Sequence, residues 1–82
     1  LQGVLRQNRV DVTISLLNSS NVSIGLFTID GRAVIPMSAK LCQSGSNSIT
    51  LNTNEILTPG TYILQMNYGK ETHAINLITV SD

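Results

Sequence analysis

Charged residues, aromatic residues and cysteines are all scarce in this chain. Charged residues make up 12% of the 82 residues, about half the roughly 25% that is usual in globular proteins, and five Lys+Arg balance five Asp+Glu. The basic residues are scattered instead of clustering with aromatic residues, so the sequence predicts no nucleic-acid partner. Ser, Thr and Asn take the place of the missing charges, a composition common in exported β domains.

Cys42 is the only cysteine, which excludes an internal disulfide and a cysteine-based metal site. We interpret it as a small apolar residue of the core. No apolar run approaches the roughly 20 residues of a membrane helix, and the N-terminal residues do not form a signal peptide. Because the chain starts with Leu1 and not with methionine, we expect it to come from a longer precursor.

The sequence offers little for catalysis. His73 is the only histidine, and as a catalytic base it would need a serine nucleophile and an orienting acid such as Asp11 or Asp30. No nucleophile elbow is present, so we interpret His73 as a surface residue of a strand. We predict no catalytic residues, no cofactor and no metal site, with a calcium ion held by loop Asn and Asp side chains as the open alternative.

Apolar and polar residues alternate along most of the chain. The first such run places four apolar residues on one face, Val10, Val12, Ile14 and Leu16. Similar runs cover residues 22–26, 48–52, 62–66 and 71–80, and no segment has a 3.6-residue period. We predict one domain over residues 1–82 with an all-β fold, an antiparallel immunoglobulin-like β-sandwich of about seven short strands.

Gly and Pro mark the turns between these runs. Asp30-Gly31 predicts a hairpin with a type I′ turn, in which both central residues have positive φ. Pro59-Gly60 predicts a type II turn, and residues 67–70 predict another tight turn. Pro36 cannot donate a ladder hydrogen bond, so it indicates either an edge strand or the end of a strand.

Residues 37–46 have no clear pattern, and residues 53–57 indicate a connection with at most one short helical turn. Leu57 and Tyr62 flank the turn at Pro59-Gly60. We expect Leu57 to close one end of the core and the hydroxyl of Tyr62 to bond nearby backbone, as in a tyrosine corner.

Two segments resemble a known family. Residues 22–34 have the pattern apolar-x-apolar-x-Leu-aromatic-x-x-x-Gly-basic-x-Val, and residues 57–66 have the pattern Leu-x-x-Gly-x-Tyr-x-x-x-apolar before Gly69-Lys70. In order and spacing they resemble the C-terminal sorting domains of the type IX secretion system of Bacteroidota, over about residues 10–80.

The resemblance implies a non-catalytic secretion and sorting signal at the C-terminus of a larger secreted or cell-surface protein. Its implied partners are an N-terminal cargo domain, the outer-membrane secretion machinery and a sortase-like surface peptidase. The domain would meet the machinery and the peptidase after it has passed through the periplasm. The candidate recognition or turn residues are Asp30, Gly31, Arg32, Gly60, Tyr62, Gly69 and Lys70.

Two features depart from the family pattern. Residues 1–8 lack the Asn-Pro pair that often opens the first strand, so we expect that strand to be degenerate or absent. After Lys70 the tail has no basic residue except His73.

Two other functions stay open. One is an accessory β-sandwich of a secreted glycosidase or adhesin, acting as a spacer or as a weak carbohydrate-binding module through Tyr68 or Phe27. The other is a small hydrolase that uses His73. The low charge and open sheet edges also predict self-association through an edge strand.

Overall fold

The computed structural model describes residues 1–53 and 56–79, and every regular element within these ranges is a β-strand. The strands are β1 (Gln2–Leu5), β2 (Arg9–Leu16), β3 (Ser20–Thr28), β4 (Ala33–Cys42), β5 (Gly45–Asn52), β6 (Thr61–Tyr68) and β7 (Glu71–Ile78). The last strand was expected to reach Val80, which lies outside the described residues, as do residues 54 and 55 of the expected helical turn.

The strands form a three-stranded sheet in the order β1-β2-β5 and a four-stranded sheet in the order β4-β3-β6-β7. All neighbouring strands are antiparallel. The predicted antiparallel sandwich is therefore confirmed. Its strand order matches that of immunoglobulin constant domains except that β4 pairs with β3 instead of β5.

The core lies between the two sheets and is formed by the apolar face of each alternating run. The predicted inward residues of β2, β3 and β6 are buried, and no polar or charged residue is buried in the described part of the chain. Cys42 is also buried, as predicted. Five of the largest fully buried side chains are Leu5, Ile14, Ile24, Leu26 and Leu64.

β1 is a regular strand, although the sequence predicted a degenerate or missing one. It pairs with β2 from Gln2–Thr13 to Leu5–Val10, and Leu5 is buried in the core. A Cβ atom on Gly3 would lie 3.0 Å from Leu77 Cδ1, so the glycine allows β1 to approach β7 closely. The strand therefore forms without the Asn-Pro pair, through one buried leucine and close packing at the glycine.

Pro36 lies inside β4, which is an edge strand of the four-stranded sheet. Of the two alternatives, the edge position is correct and the strand end is wrong. The pairing of β3 with β4 slips at Gly25, which faces both Pro36 and Met37. This β-bulge accommodates a residue without an N–H group. Beyond the bulge, the inward positions opposite Ile24 and Val22 hold the polar residues Ser38 and Lys40, so the sequence after Pro36 lacks the usual alternation.

Candidate functional site

The candidate residues lie at two opposite ends of the four-stranded sheet. Thr28 pairs with Tyr62, which brings the β3–β4 loop and the residues before β6 to one end. The β6–β7 hairpin lies at the other end of β6. β6 has eight residues, and at about 3.4 Å per residue its two ends are roughly 24 Å apart.

We call these two ends the arginine end and the lysine end. The arginine end consists of residues 6–9, 29–32 and 56–62 together with Thr79, which bridges to Leu5. The lysine end contains Leu1, residues 17–19 and 43–44, and the hairpin residues 69–70. The structure thus brings Asp30, Gly31, Arg32, Gly60 and Tyr62 together and separates them from Gly69 and Lys70.

The loop with Asp30 and Gly31 is not a type I′ turn. Gly31 has a φ of 94°, but no non-glycine residue in the described ranges has a positive φ. The Thr28 N–H donates to the Arg32 carbonyl oxygen at 2.9 Å, and the Gly31 N–H donates to the Thr28 carbonyl oxygen at 3.0 Å. These bonds define a three-residue loop in which only the last residue is left-handed.

Thr28 fixes the conformation of this loop through its side chain. Its hydroxyl donates to the Asp30 carboxylate and accepts the Arg32 N–H at 3.0 Å. The hydrogen bond from Thr28 is the main reason that the pKa of Asp30 is lowered, and the N–H and charge of Arg32 lower that pKa further, whereas desolvation opposes them. Asp30 therefore stays ionised at neutral pH and holds the loop closed.

Arg32 is exposed at the end of this loop. Its backbone is held by Thr28, while its guanidinium forms no ion pair with any residue in the described ranges. The side chain is therefore an exposed cation on a fixed backbone, close enough to Asp30 to lower the pKa of that carboxyl group, and it can bind an acceptor on another molecule.

Gly60 has a φ of 156°, far from the roughly 80° of a type II turn. The predicted positive φ is confirmed, but the turn type is wrong, and Gly60 instead pairs with Thr79, the residue after β7. Its N–H donates to Thr79 Oγ1 at 3.0 Å, and the Thr79 N–H donates to the Gly60 carbonyl oxygen at 3.1 Å. Gly60 thus holds the residue after β7 at the arginine end.

Tyr62 forms the predicted tyrosine corner. Its ring is buried, and its hydroxyl donates to the Thr58 carbonyl oxygen at 2.7 Å. Leu57 is also buried, and its N–H donates to the Gln7 carbonyl oxygen. Both residues shape the arginine end from inside, and neither offers much surface to a partner.

The β6–β7 connection is the tight turn that the sequence predicted. Tyr68 pairs with Glu71, so the loop has only Gly69 and Lys70. Gly69 has a φ of 59° and Lys70 has no positive φ, which is the type II′ pattern with glycine first. Lys70 is exposed at the lysine end.

The carboxylates considered for a catalytic triad are far from His73. His73 is about half exposed on β7, with Nε2 3.7 Å from Glu71 Oε2. Asp30 lies at the arginine end, and Asp11 lies on the outer face of the three-stranded sheet. The structure therefore does not assemble a triad from His73 and either of these acids.

Asp11 belongs to a polar network that the sequence did not reveal. Its carboxylate accepts a hydrogen bond from Thr50 at 3.1 Å and lies 3.3 Å from Arg6 and 3.5 Å from Arg9. Desolvation would raise the pKa of Asp11, but the hydrogen bonds from Thr50 and Arg6 and the charge of Arg9 together lower it. These residues join the β1–β2 loop, β2 and β5 across the sheet surface.

Exposed apolar residues lie at both ends of the sheet, with Leu17 and Leu41 at the lysine end and three isoleucines at the arginine end. Ile29 in the β3–β4 loop and Ile56 before β6 are each 72% exposed, and Ile78 at the end of β7 is 69% exposed. The sequence could have indicated the first two, because both are isoleucines outside the alternating runs. The arginine end thus combines exposed isoleucines with the exposed side chain of Arg32.

At the lysine end a groove of about 280 Å³ opens between the sheets. Tyr68 and His73 line it together with Leu1 and Met66. Tyr68 packs partly against the core, so only part of its ring faces the groove. This is the surface that a weak carbohydrate-binding function through Tyr68 would use.

A family model for a secretion system C-terminal sorting domain matches residues 7–80. The match begins before β2 and includes every later strand, so it covers nearly the whole chain. No curated protein and no solved structure matches the chain.

Proposed function

The chain belongs to the family of secretion system C-terminal sorting domains, and we propose that its arginine end is the surface recognised by the secretion machinery. Domains of this family are the sorting signals of type IX secreted proteins. The protein that carries this domain is thus secreted or displayed on the cell surface, and the domain interacts with the type IX machinery. The family is not known to be catalytic, and we propose that this domain is not.

The proposal rests on two properties of Arg32, its fixed backbone and its exposed guanidinium. Its loop is held by two backbone hydrogen bonds and by the contact of Thr28 with Asp30, while the guanidinium has no ion partner in the described ranges. Because the backbone of Arg32 is already fixed, binding has to order only its side chain, and arginine is enriched among the residues that dominate protein interfaces. Arg32 is therefore suited to bind a carboxylate or a carbonyl group of a partner.

The surroundings of Arg32 favour a protein partner. Ile29, Ile56 and Ile78 are exposed at the same end, and surfaces that combine exposed apolar residues with arginine are typical of protein interaction sites. Gly31 and Gly60 contribute by their backbone conformations, and Tyr62 contributes through the buried corner. We propose that these residues shape the site, whereas Arg32 contacts the partner.

The position of Leu1 also supports recognition at the arginine end. Leu1 lies at the lysine end, because Gln2 pairs with Thr13 whereas Leu5 bridges to Thr79. A cargo domain before Leu1 would therefore extend away from Arg32, because the segment from Leu5 back to Leu1 already spans about 14 Å at about 3.4 Å per residue. The arginine end would remain accessible when a folded cargo is attached.

We propose further that a sortase-like surface peptidase removes the domain after export by cutting before β1. A peptidase needs an extended segment that is not paired in a sheet. The backbone from Gln2 to Leu5 is already paired with β2, so the accessible position lies upstream of it. This step would leave the cargo on the surface and release the intact sandwich.

The test is export of a fluorescent protein that carries this domain at its C-terminus and a signal for the periplasm at its N-terminus. It is expressed in a Bacteroidota host with and without a working type IX translocon. Fluorescence at the surface or in the medium only in the host with the translocon is the expected result. Retention in the periplasm of both hosts, with the domain intact, would contradict the proposal and favour an accessory sandwich.

A further inference from the structure

The two outer faces of the sandwich differ in polarity. Residues that are directly opposite in an antiparallel pair share a face. On the three-stranded sheet the outer face is polar or charged except for Val4, and consists of Gln2, Val4, Arg9, Asp11, Thr13, Ser15, Ser46, Ser48, Thr50 and Asn52.

The outer face of the four-stranded sheet has no charged residue. It consists of Ala33, Met37, Ala39 and Leu41 on β4, Asn21, Ser23, Gly25 and Phe27 on β3, Thr61, Ile63, Gln65 and Asn67 on β6, and Thr72, Ala74, Asn76 and Ile78 on β7. We call this the apolar face.

Large apolar side chains extend across the apolar face. Phe27 pairs with Ile63 across β3 and β6, and neither packs against the core. Met37 covers the position where Gly25 has no side chain. Leu41 and Ile78 are 71% and 69% exposed at opposite corners. The face therefore carries an apolar strip across its central strands, bordered by uncharged polar residues, and exposed apolar patches often mark interaction sites.

We propose that the apolar face docks against the same face of a second copy of this chain. A two-fold arrangement places like surfaces together, and like surfaces repel when they are charged. Here no charged residue lies on the face, and the net charge of the whole chain is zero. A partner with a charged binding surface would find no counter-charge on this face.

The area fits a weak, reversible dimer. Four strands about 4.8 Å apart and about eight residues long at about 3.4 Å per residue give roughly 500 Å² per copy. Two copies would bury roughly 1,000 Å², which is near the lower limit for a specific interface. The two sheets would stack about 10 Å apart, as in other face-to-face sheet packings.

Pairing through an edge strand is the competing arrangement. Pro36 and the bulge hinder the pairing of β4 with a strand of another copy, and β1 has only four residues. β5 and β7 are edges of eight residues each that contain no proline. An edge dimer would use backbone groups and would not depend on Ile63, which lies on the face of β6, inside the sheet.

Sedimentation equilibrium of the 82-residue chain tests the proposal between about 10 µM and 1 mM, the range of a weak interface. We expect the mass to rise from 8.8 kDa toward twice that value. A constant monomer mass over the whole range would overturn the proposal.

Ile63→Lys and Ile63→Glu should each weaken association at least about tenfold, because each buries a charge without a counter-charge in the interface. An equal mixture of the two variants should recover association through opposite charges. Thr13→Lys on the other face is the matched control and should dimerise like the wild type. If Ile63→Lys is unfolded by circular dichroism, Ile63→Thr replaces it, with an expected weakening of about fivefold.

Dimerisation that persists in the folded Ile63 variants would assign the contact to an edge strand and overturn the proposal. This dimer does not depend on the proposed recognition at the arginine end, because the measurement includes no secretion step.

Discussion

The hydroxyl of Tyr62 donates a 2.7 Å hydrogen bond to the carbonyl oxygen of Thr58. This bond joins the start of β6 to the connection before it, directly beside Gly60. It shows how a residue can be part of the family pattern while its side chain lies in the core.

Tyr62→Phe should destabilise the domain by about 1 kcal/mol, because it removes one hydrogen bond and leaves the Thr58 carbonyl oxygen without its partner. Urea unfolding measures the change. Tyr68→Phe is the matched control, since no hydrogen bond of the Tyr68 hydroxyl is present in the described residues, and it should be close to neutral. Equal stability of the two variants would contradict the tyrosine corner.

Gly25→Ala should destabilise the domain by roughly 1–3 kcal/mol, which is typical of an overpacked position. The new Cβ atom would lie 2.9 Å from the Ile35 carbonyl oxygen and 3.0 Å from the Met37 N atom, so backbone must move. Ser23→Ala, on the same strand and face, is the control and should change stability little. If Met37→Ala restored full stability to Gly25→Ala, the clash would be with the Met37 side chain and our explanation would be wrong.

Gly60→Val should cost about 1–3 kcal/mol, because a β-branched residue is strained at a φ of 156°. No atom within 4 Å would block the new Cβ atom, so the loss would arise from the backbone. Thermal unfolding measures it, with Thr61→Val as the neighbouring control. An unchanged midpoint in Gly60→Val would refute the backbone conformation described for Gly60.

Asp11 should stabilise the domain in a pH-dependent way. Its pKa is lowered in the folded state from the ordinary value of 3.8, so the folded state favours the ionised carboxylate. The stabilisation is therefore complete above the unfolded pKa and is lost as the pH falls through the folded pKa. Relative to Asp11→Asn, the wild type should be more stable at pH 7 and lose this advantage below about pH 4, as measured by urea unfolding. A constant difference between the two proteins at every pH would contradict the ionised network with Arg6, Arg9 and Thr50.

The sequence predicted those strands in which the alternation of apolar and polar residues is not interrupted. The alternation in β2 and β6 appears in the sequence and in the buried face of each strand. β1 is too short for such a pattern, and the bulge at Gly25 and Pro36 breaks the pattern of β4. Turn types were harder to predict, because glycine indicates a positive φ but not the length of the loop. Asp30-Gly31 therefore suggested two left-handed residues where the structure has one.

The grouping of the candidate residues could not be predicted from spacing. Arg32 and Gly60 come together only because β3 and β6 are neighbours in the sheet, and Lys70 is remote because β6 is fully extended between them. The apolar face was also missed. Alternation separates the two faces of each strand, but it does not show that the outward residues of four strands form one uncharged surface.

The most direct test of the proposed recognition surface is the export of the fluorescent fusion with Arg32→Gln, compared with the same fusion carrying Lys70→Gln. Both changes remove one exposed positive charge next to a turn glycine, at opposite ends of the sheet. We predict that Arg32→Gln reduces export about tenfold or more, as expected for a dominant interface arginine, while Lys70→Gln stays within about twofold of the wild type. Equal export of the two folded variants, or a larger loss with Lys70→Gln, would contradict recognition at the arginine end.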